Sequence, residues 1–388
     1  MTELSNQDMI MKNKKLIILV LLSFNTLLYG QFTYIQTFDN ILKTAYPKIK
    51  TFPEFYALDP TSIIYSVEPL SSKNIRYFHG KLECELDVDS SVISAILKRD
   101  YSRSNPINSF PIELLYFFRD SIVFLNTAQY YLPQIDTIIP KMRSLQILWL
   151  YGSNVKNFKI SKWNVPLFFL NLNGCELPTN IDVNQFGSSL KILEVSADKI
   201  KKKSNIDFSG LDNLDYFIFR DYSNTSQYSI IFPPKVKYIH FVNKNNVDIE
   251  FPNSTEILFL EIKNNSDKIP NLSNLLKLKF LSILPRNKFK KKNYVPVPDE
   301  ISRLKSLQSL QILYLNEENI EVISKIPHLT TLQIVEQKEI SQNIYKLVNV
   351  ENIEFSYNTP DSIIQSFRKA LPNVKITRCN KSEVKSFF

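Results

Sequence analysis

Three cysteines and three histidines are the softest ligands and readiest nucleophiles in this 388-residue chain. A cysteine behind a glycine, as in LFFLNLNGCEL (167–177), could serve as nucleophile, metal ligand, disulfide partner or packing. His79, His240 and His328 stand alone: none belongs to H-E-x-x-H or to a Cys pair at metal-ligand spacing. No G-x-S-x-G elbow, G-x-x-x-x-G-K-[ST] loop or G-x-G-x-x-G turn is present, and the acidic residues are scattered singly. The reading is therefore no enzyme, no metal and no cofactor. Two lysine runs, Lys201, Lys202 and Lys203 within KIKKK and Lys290, Lys291 and Lys292 within KFKKK, have the charge to hold an anionic glycan, phosphate or headgroup. The plain alternative is a solvated loop.

The elements that carry these residues follow from a period. LQILWLYGSNV (from Leu145), LFFLNLNGCEL (from Leu167) and LKILEVSADKI (from Leu190) share one spacing of apolar residues, at positions one, four, six and eleven. The register continues at Leu214, Val236, Ile257, Leu278, Leu307, Leu329, Val350 and Leu371, mostly 21 to 24 residues apart, with one insertion around 287–297. An earlier, degenerate unit is read at SIVFLN with Ile122 and Phe124 inward. Positions four and six are apolar in every unit, and alternation places both on one side of a short strand. One such strand cannot bury that side alone, so the units must stack.

The spacing L-x-x-L-x-L-x-x-(N/C)-x-L resembles the leucine-rich repeat family, over residues 119–388, and in particular its secreted bacterial members. The resemblance implies an α/β solenoid: a horseshoe of 11 to 12 repeats with a parallel sheet on the concave side. Position nine holds Asn or Cys in only four units, at Cys175, Asn265, Asn358 and Cys379. This places Cys175 inside a turn as packing. Nine strand steps of ~4.8 Å separate it from Cys379, far beyond disulfide reach.

Positions three and five should then line the concave face. Position three reads Ile147, Phe169, Ile192, Tyr216, Tyr238, Phe259 and Phe280, then Ser309, Thr331, Asn352 and Asn373. Position five adds Trp149, Asn171, Ile218 and His240, and Tyr151 extends the aromatic edge. An exposed stripe of this kind marks an interaction site. The competing reading is a ladder of same-face neighbours that only stabilises the sheet.

Residues 31–118 lack the repeat and are read as a cap over the first unit, against a separate small domain, with a helix over 90–100 and a loop over 102–111. From Met11 the chain shows an export signal: Lys12, Lys14 and Lys15 precede the apolar run Leu16 to Leu22, and Gly30 precedes Gln31. That pattern predicts a secreted, periplasmic or cell-surface protein that does not span the membrane after cleavage. The net charge of +9 comes with no arginine-rich arm, which argues against nucleic acid. The functional expectation is a protein-binding module working through the concave face. The alternative is an envelope or adhesion protein that binds a polysaccharide or another anionic surface.

Overall fold

A computed structural model describes side chains over 137–146, 148, 150, 163, 165–175, 189–196, 206–221, 228–242, 249–262, 269–285 and 295–379, and at Leu125, together with the backbone of the strands before residue 127 and of the remaining residues in the elements named below. The export signal, Tyr151 and both lysine runs lie outside these residues.

Each repeat contributes one strand. In chain order these are β4 (Ile122–Asn126), β5 (Ile147–Trp149), β6 (Phe169–Leu172), β7 (Ile192–Ser196), β9 (Tyr216–Arg220), β11 (Tyr238–Asn243), β12 (Ile257–Ile262), β13 (Phe280–Pro285), β14 (Ser309–Ile312), β15 (Thr331–Ile334), β16 (Asn352–Phe355) and β17 (Lys375–Arg378). All pair in parallel, each with the next, in one sheet. β8 (Ser204–Asp207) and β10 (Tyr228–Ile231) form a separate parallel pair. The solenoid predicted from the period is the fold observed. Position four is filled by Leu148, Leu170, Leu193, Phe217, Ile239, Leu258, Leu281, Leu310, Leu332 and Ile353, every one of them fully buried. Position six adds Leu172, Val195, Phe219, Phe241, Ile283 and Phe355 to the same core.

Three sequence expectations change. The helix expected over 90–100 is strand β3 (Val92–Lys98), antiparallel to β2 (Leu82–Asp89), which is antiparallel to β1 (Asn74–His79). Val92, Ile93 and Ile96 are β-branched, and a neighbouring strand edge offers them a pleated surface that no isolated helix does. β3 in turn pairs in parallel with β4. In β4 the inward residue is Leu125, which pairs with Leu148 and is 1% exposed, while Phe124 pairs with Ile147. The sequence reading had put Phe124 inward.

The third change is register. Tyr238 pairs with Ile257, and His240 with Phe259, so the unit read from Ile257 begins at Thr255. Thr255 fills position one, fully buried, and its hydroxyl donates to the Pro252 carbonyl at 2.7 Å. The chain IleLeuPheLeuGluIle is apolar at nearly every place, and a slip of two residues preserves which side chains face the core. The hydrophobic pattern cannot see such a slip. The last unit shifts likewise: Asn352 pairs with Lys375 rather than Asn373. Cys379 therefore leaves position nine for position seven and is half-exposed rather than sequestered.

A charge row runs alongside this register. Position two alternates Lys191, Asp215, Lys237, Glu256 and Lys279. Lys191 lies 3.6 Å from Asp215, and Lys279 lies 2.7 Å from Glu256. Each such pair is partly exposed and worth at most about 1 kcal/mol. The two-residue slip would carry Glu256 between Lys235 and Lys277, again opposite charges, so the row accompanies this register without deciding it.

At β17 the inward row ends. Arg378 takes position six opposite Phe355, and its guanidinium donates to the Thr359 carbonyl at 2.7 Å and to Asp361 at 2.5 Å. Asp361 opens α3 (Asp361–Ala370), which follows α1 (Ile135–Ile138) and α2 (Glu317–Ile323) and is the longest helix among the described residues. Phe367 of α3 packs edge-on against Phe355 at 4.8 Å, closing the core of the last repeats with an apolar lid whose far side is charged.

Candidate functional site

The face opposite the core carries positions three, five and seven. With the register corrected, position three runs Phe169, Ile192, Tyr216, Tyr238, Ile257, Phe280, Ser309, Thr331, Asn352 and Lys375. Position five runs Asn171, Glu194, Ile218, His240, Phe259, Ser282, Gln311, Gln333 and Glu354. Phe259 thus sits one row over from the place the sequence reading gave it. The aromatic chain survives through diagonal contacts. Tyr216 to Tyr238 is 5.1 Å between ring centroids, Tyr238 to Phe259 5.4 Å, and Phe259 to Phe280 5.0 Å, all tilted.

The rows are not the open stripe expected. Phe169, Ile192, Ile218, Tyr238, Phe259 and Phe280 are buried, none more than 5% exposed. Asn171 is buried as well. Of the sequence-predicted set with described side chains, Tyr216 and His240 alone are half-buried. For Trp149 the structure gives the strand pairing, Trp149 beside Asn171, and no more.

Two polar groupings interrupt these rows, and sequence singled out Asn171 and His240 in them but neither Glu194 nor Glu261. Glu194, 1% exposed, accepts from Asn171 Nδ2 at 2.7 Å and Asn173 Nδ2 at 3.3 Å and pairs with Arg220 at 2.7 Å. Asn171 Oδ1 takes the Asn173 backbone N–H, and Gly174 N–H donates to Ser196 Oγ at 2.7 Å. Gly174 has φ 71°, a left-handed turn that a side chain would oppose. The Cys175 thiol closes this turn by donating to the Leu150 carbonyl at 2.8 Å, the packing role expected of it. Farther along, His240 Nε2 lies 3.0 Å from the Glu261 carboxylate, with the Phe259 ring 5.9 Å away. The signal for both was available: a Glu at position five or seven with a basic side chain in the adjacent row of a neighbouring strand.

The C-terminal part of the face is polar. Ser282 Oγ donates to Gln311 Oε1 at 2.7 Å, Gln311 Nε2 to Gln333 Oε1 at 3.2 Å, and Gln333 Nε2 to Glu354 at 3.0 Å. Every donor points toward the last strand, and the run ends on a carboxylate. Among the described residues no group of three or more His, Cys, Asp or Glu side chains is gathered to hold a metal, and no helix is long and apolar enough to cross a membrane.

Among the described residues of this face, Tyr216 carries the one strong electrostatic shift. Burial, with the Asp215 carboxylate beside it, pushes its hydroxyl up to about 12. The proton is held more tightly in the folded chain, so the contribution to stability is complete below pH 10 and is lost as pH rises toward 12. Absorbance titration at 295 nm should show a tyrosinate forming near pH 12 that Tyr216→Phe removes. A titration unchanged by the substitution would contradict the placement of Tyr216.

No protein-family model matches the chain, and no curated protein matches it. Among solved structures it is similar to TLR13 in its complex with ssRNA13, at 17% identity over 68% of this chain and 39% of that one, TM-score 0.43. It is similar to the functional domain of InlJ from Listeria monocytogenes, at 14% identity over 71% of this chain and 56% of that one, TM-score 0.37. A leucine-rich repeat protein of Leptospira interrogans is matched at 19% identity over 70% of this chain and 76% of that one, TM-score 0.35. The chain spans well under two thirds of the first two. The repeat length, the parallel register and the buried rows at positions one, four and six make this chain a leucine-rich repeat solenoid in fold.

Proposed function

We propose that the chain is an exported or surface-displayed binding protein that engages another protein through the sheet face opposite its core. The observation that supports this reading is a break in an otherwise buried surface. In the central repeats Tyr216, Arg220, His240, Ile257 and Glu261 are half-buried and neighbouring, and they join an aromatic ring, an aliphatic group and both signs of charge. Arg and Tyr are enriched among residues that dominate protein interfaces. A polysaccharide would need open, planar ring faces. Phe259 and Phe280 are instead tilted on one another and sealed, so the protein-binding reading is preferred.

The test compares the chain beginning at Gln31 with its Tyr216→Ala/His240→Ala variant. Both baits are incubated with cell-surface and secreted protein extracts, and the captured proteins are identified by mass spectrometry. The expected result is a discrete captured protein whose dissociation constant weakens at least tenfold in the variant, with circular dichroism unchanged. The same capture by both baits, or binding confined to a glycan array, would reject the reading.

A further inference from the structure

We propose a second docking site, on the edge of the sheet where β13 to β16 begin, that takes an extended acidic peptide segment of a partner protein. Parallel strands bring all their leading turns to one edge. Leu276, Lys305, Pro327 and Val348 each stand four residues before the mutually paired Phe280, Ser309, Thr331 and Asn352, so they occupy one turn position in four successive repeats. The turns are built alike: Leu278, Leu307 and Val350 each donate a backbone N–H to the carbonyl three residues back. Toward the N-terminus this position holds Asp212, Pro234 and Asn253, and in the last repeat it holds Leu371, which is buried. Here it holds Leu276, 65% exposed, and Val348, 73% exposed, the two most exposed large apolar side chains among the described residues.

Along the same edge lies a recess of about 580 Å³ whose lining includes Lys279, Lys305, Pro327, His328, Thr330 and Glu351. Lys305 stands in the middle of this row and the exposed Lys277 beside Leu276; Lys279 is already paired with Glu256, and Glu351 lies at the far end. The recess therefore complements an acidic group near its centre.

Spacing makes the motif specific. Three strand steps of ~4.8 Å put Leu276 and Val348 about 14 Å apart. An extended chain rises ~3.4 Å per residue, so residues i and i+4 span the same distance and project to the same side. Residue i+2 projects to that side too, over Lys305. The segment that fits is apolar-x-acidic-x-apolar.

The experiment pans a random heptapeptide phage library on the full chain and measures enriched sequences as synthetic peptides by fluorescence anisotropy. The expected outcome is enrichment of that motif, an affinity that weakens as salt is raised, and a loss of at least tenfold in Leu276→Ser/Val348→Ser. Both side chains are exposed, so this variant keeps its fold by circular dichroism. Lys305→Glu should shift selection toward a basic central residue. Tyr216→Ala/His240→Ala should leave peptide binding unchanged, which separates this site from the sheet face. No enrichment, or peptides whose affinity survives the Leu276/Val348 substitutions, would overturn the proposal. So would a concentration-dependent self-association abolished by those substitutions, which would identify a second copy as the occupant.

Discussion

Glu194→Ala should cost about 3 kcal/mol, the lower end of what removal of one partner from a buried ion pair costs. The carboxylate is 1% exposed and takes two amide N–H groups and a guanidinium. Its removal takes an acceptor from the buried Asn171 and Asn173 amides and a paired carboxylate from Arg220, whose side chain is itself only 17% exposed. The damage runs to the turn, because Asn171 also fixes the Asn173 backbone beside Gly174. Urea denaturation followed by circular dichroism reads the loss. A control sharpens it: Glu194→Leu/Arg220→Met removes both charges and should recover the part of the loss due to Arg220, since a buried ion pair is seldom better than well-packed apolar groups, while the part due to the Asn171 and Asn173 amides remains. A single substitution that costs less than about 1 kcal/mol would show that Glu194 is solvated, and the network would lose its place as the organiser of this turn.

The core was legible because its signal is redundant. Leu148, Leu170, Leu193 and their counterparts recur at fixed intervals, and any one of them can be misread without changing the solenoid. Register was legible only where polar residues bracket the apolar ones. In Leu329-Thr-Thr-Leu332 the threonines leave one alignment, whereas in Ile257 to Ile262 two alignments bury equally well. Thr255 decided between them, and a threonine in a leucine position is not a hydrophobic signal at all. The opposite face was misjudged for a different reason. Alternation tells which side of a strand a residue takes, and it says nothing of what that side meets. Phe169 and Phe280 do leave the core side as expected, yet they are buried. Polar partners such as Glu194 with Arg220, or Gln311 with Gln333, depend on contacts between repeats 21 to 26 residues apart. They become visible in a sequence only once the strands are written one above another in the right register.

Phe241→Ala should be the most damaging single truncation in the aromatic part of the core, at about 3–5 kcal/mol for a fully buried phenylalanine. Phe241 is fully buried, stacks on Phe219 at 5.5 Å with only 10° between planes, and meets Phe232 at 6.0 Å and Phe251 at 5.8 Å. Leucine cores elsewhere in the sheet can shift a branch to fill a gap. A ring held by three other rings has no such freedom, so the cavity stays open and the cost stays near the upper end. How the loss spreads is the more telling result. A solenoid gains its stability repeat by repeat, from each unit and its contacts with the next. Hydrogen exchange should therefore show β9, β11 and β12 losing most of their protection in Phe241→Ala while β15 and β16 keep theirs. Those two strands share no side chain with the ring cluster, and their own end is closed by Phe367 of α3 on Phe355. Uniform loss of protection along the whole sheet would mean that the repeats fold as one cooperative block. The Glu194 network and the Phe241 cluster would then have to be read as two parts of a single structural unit.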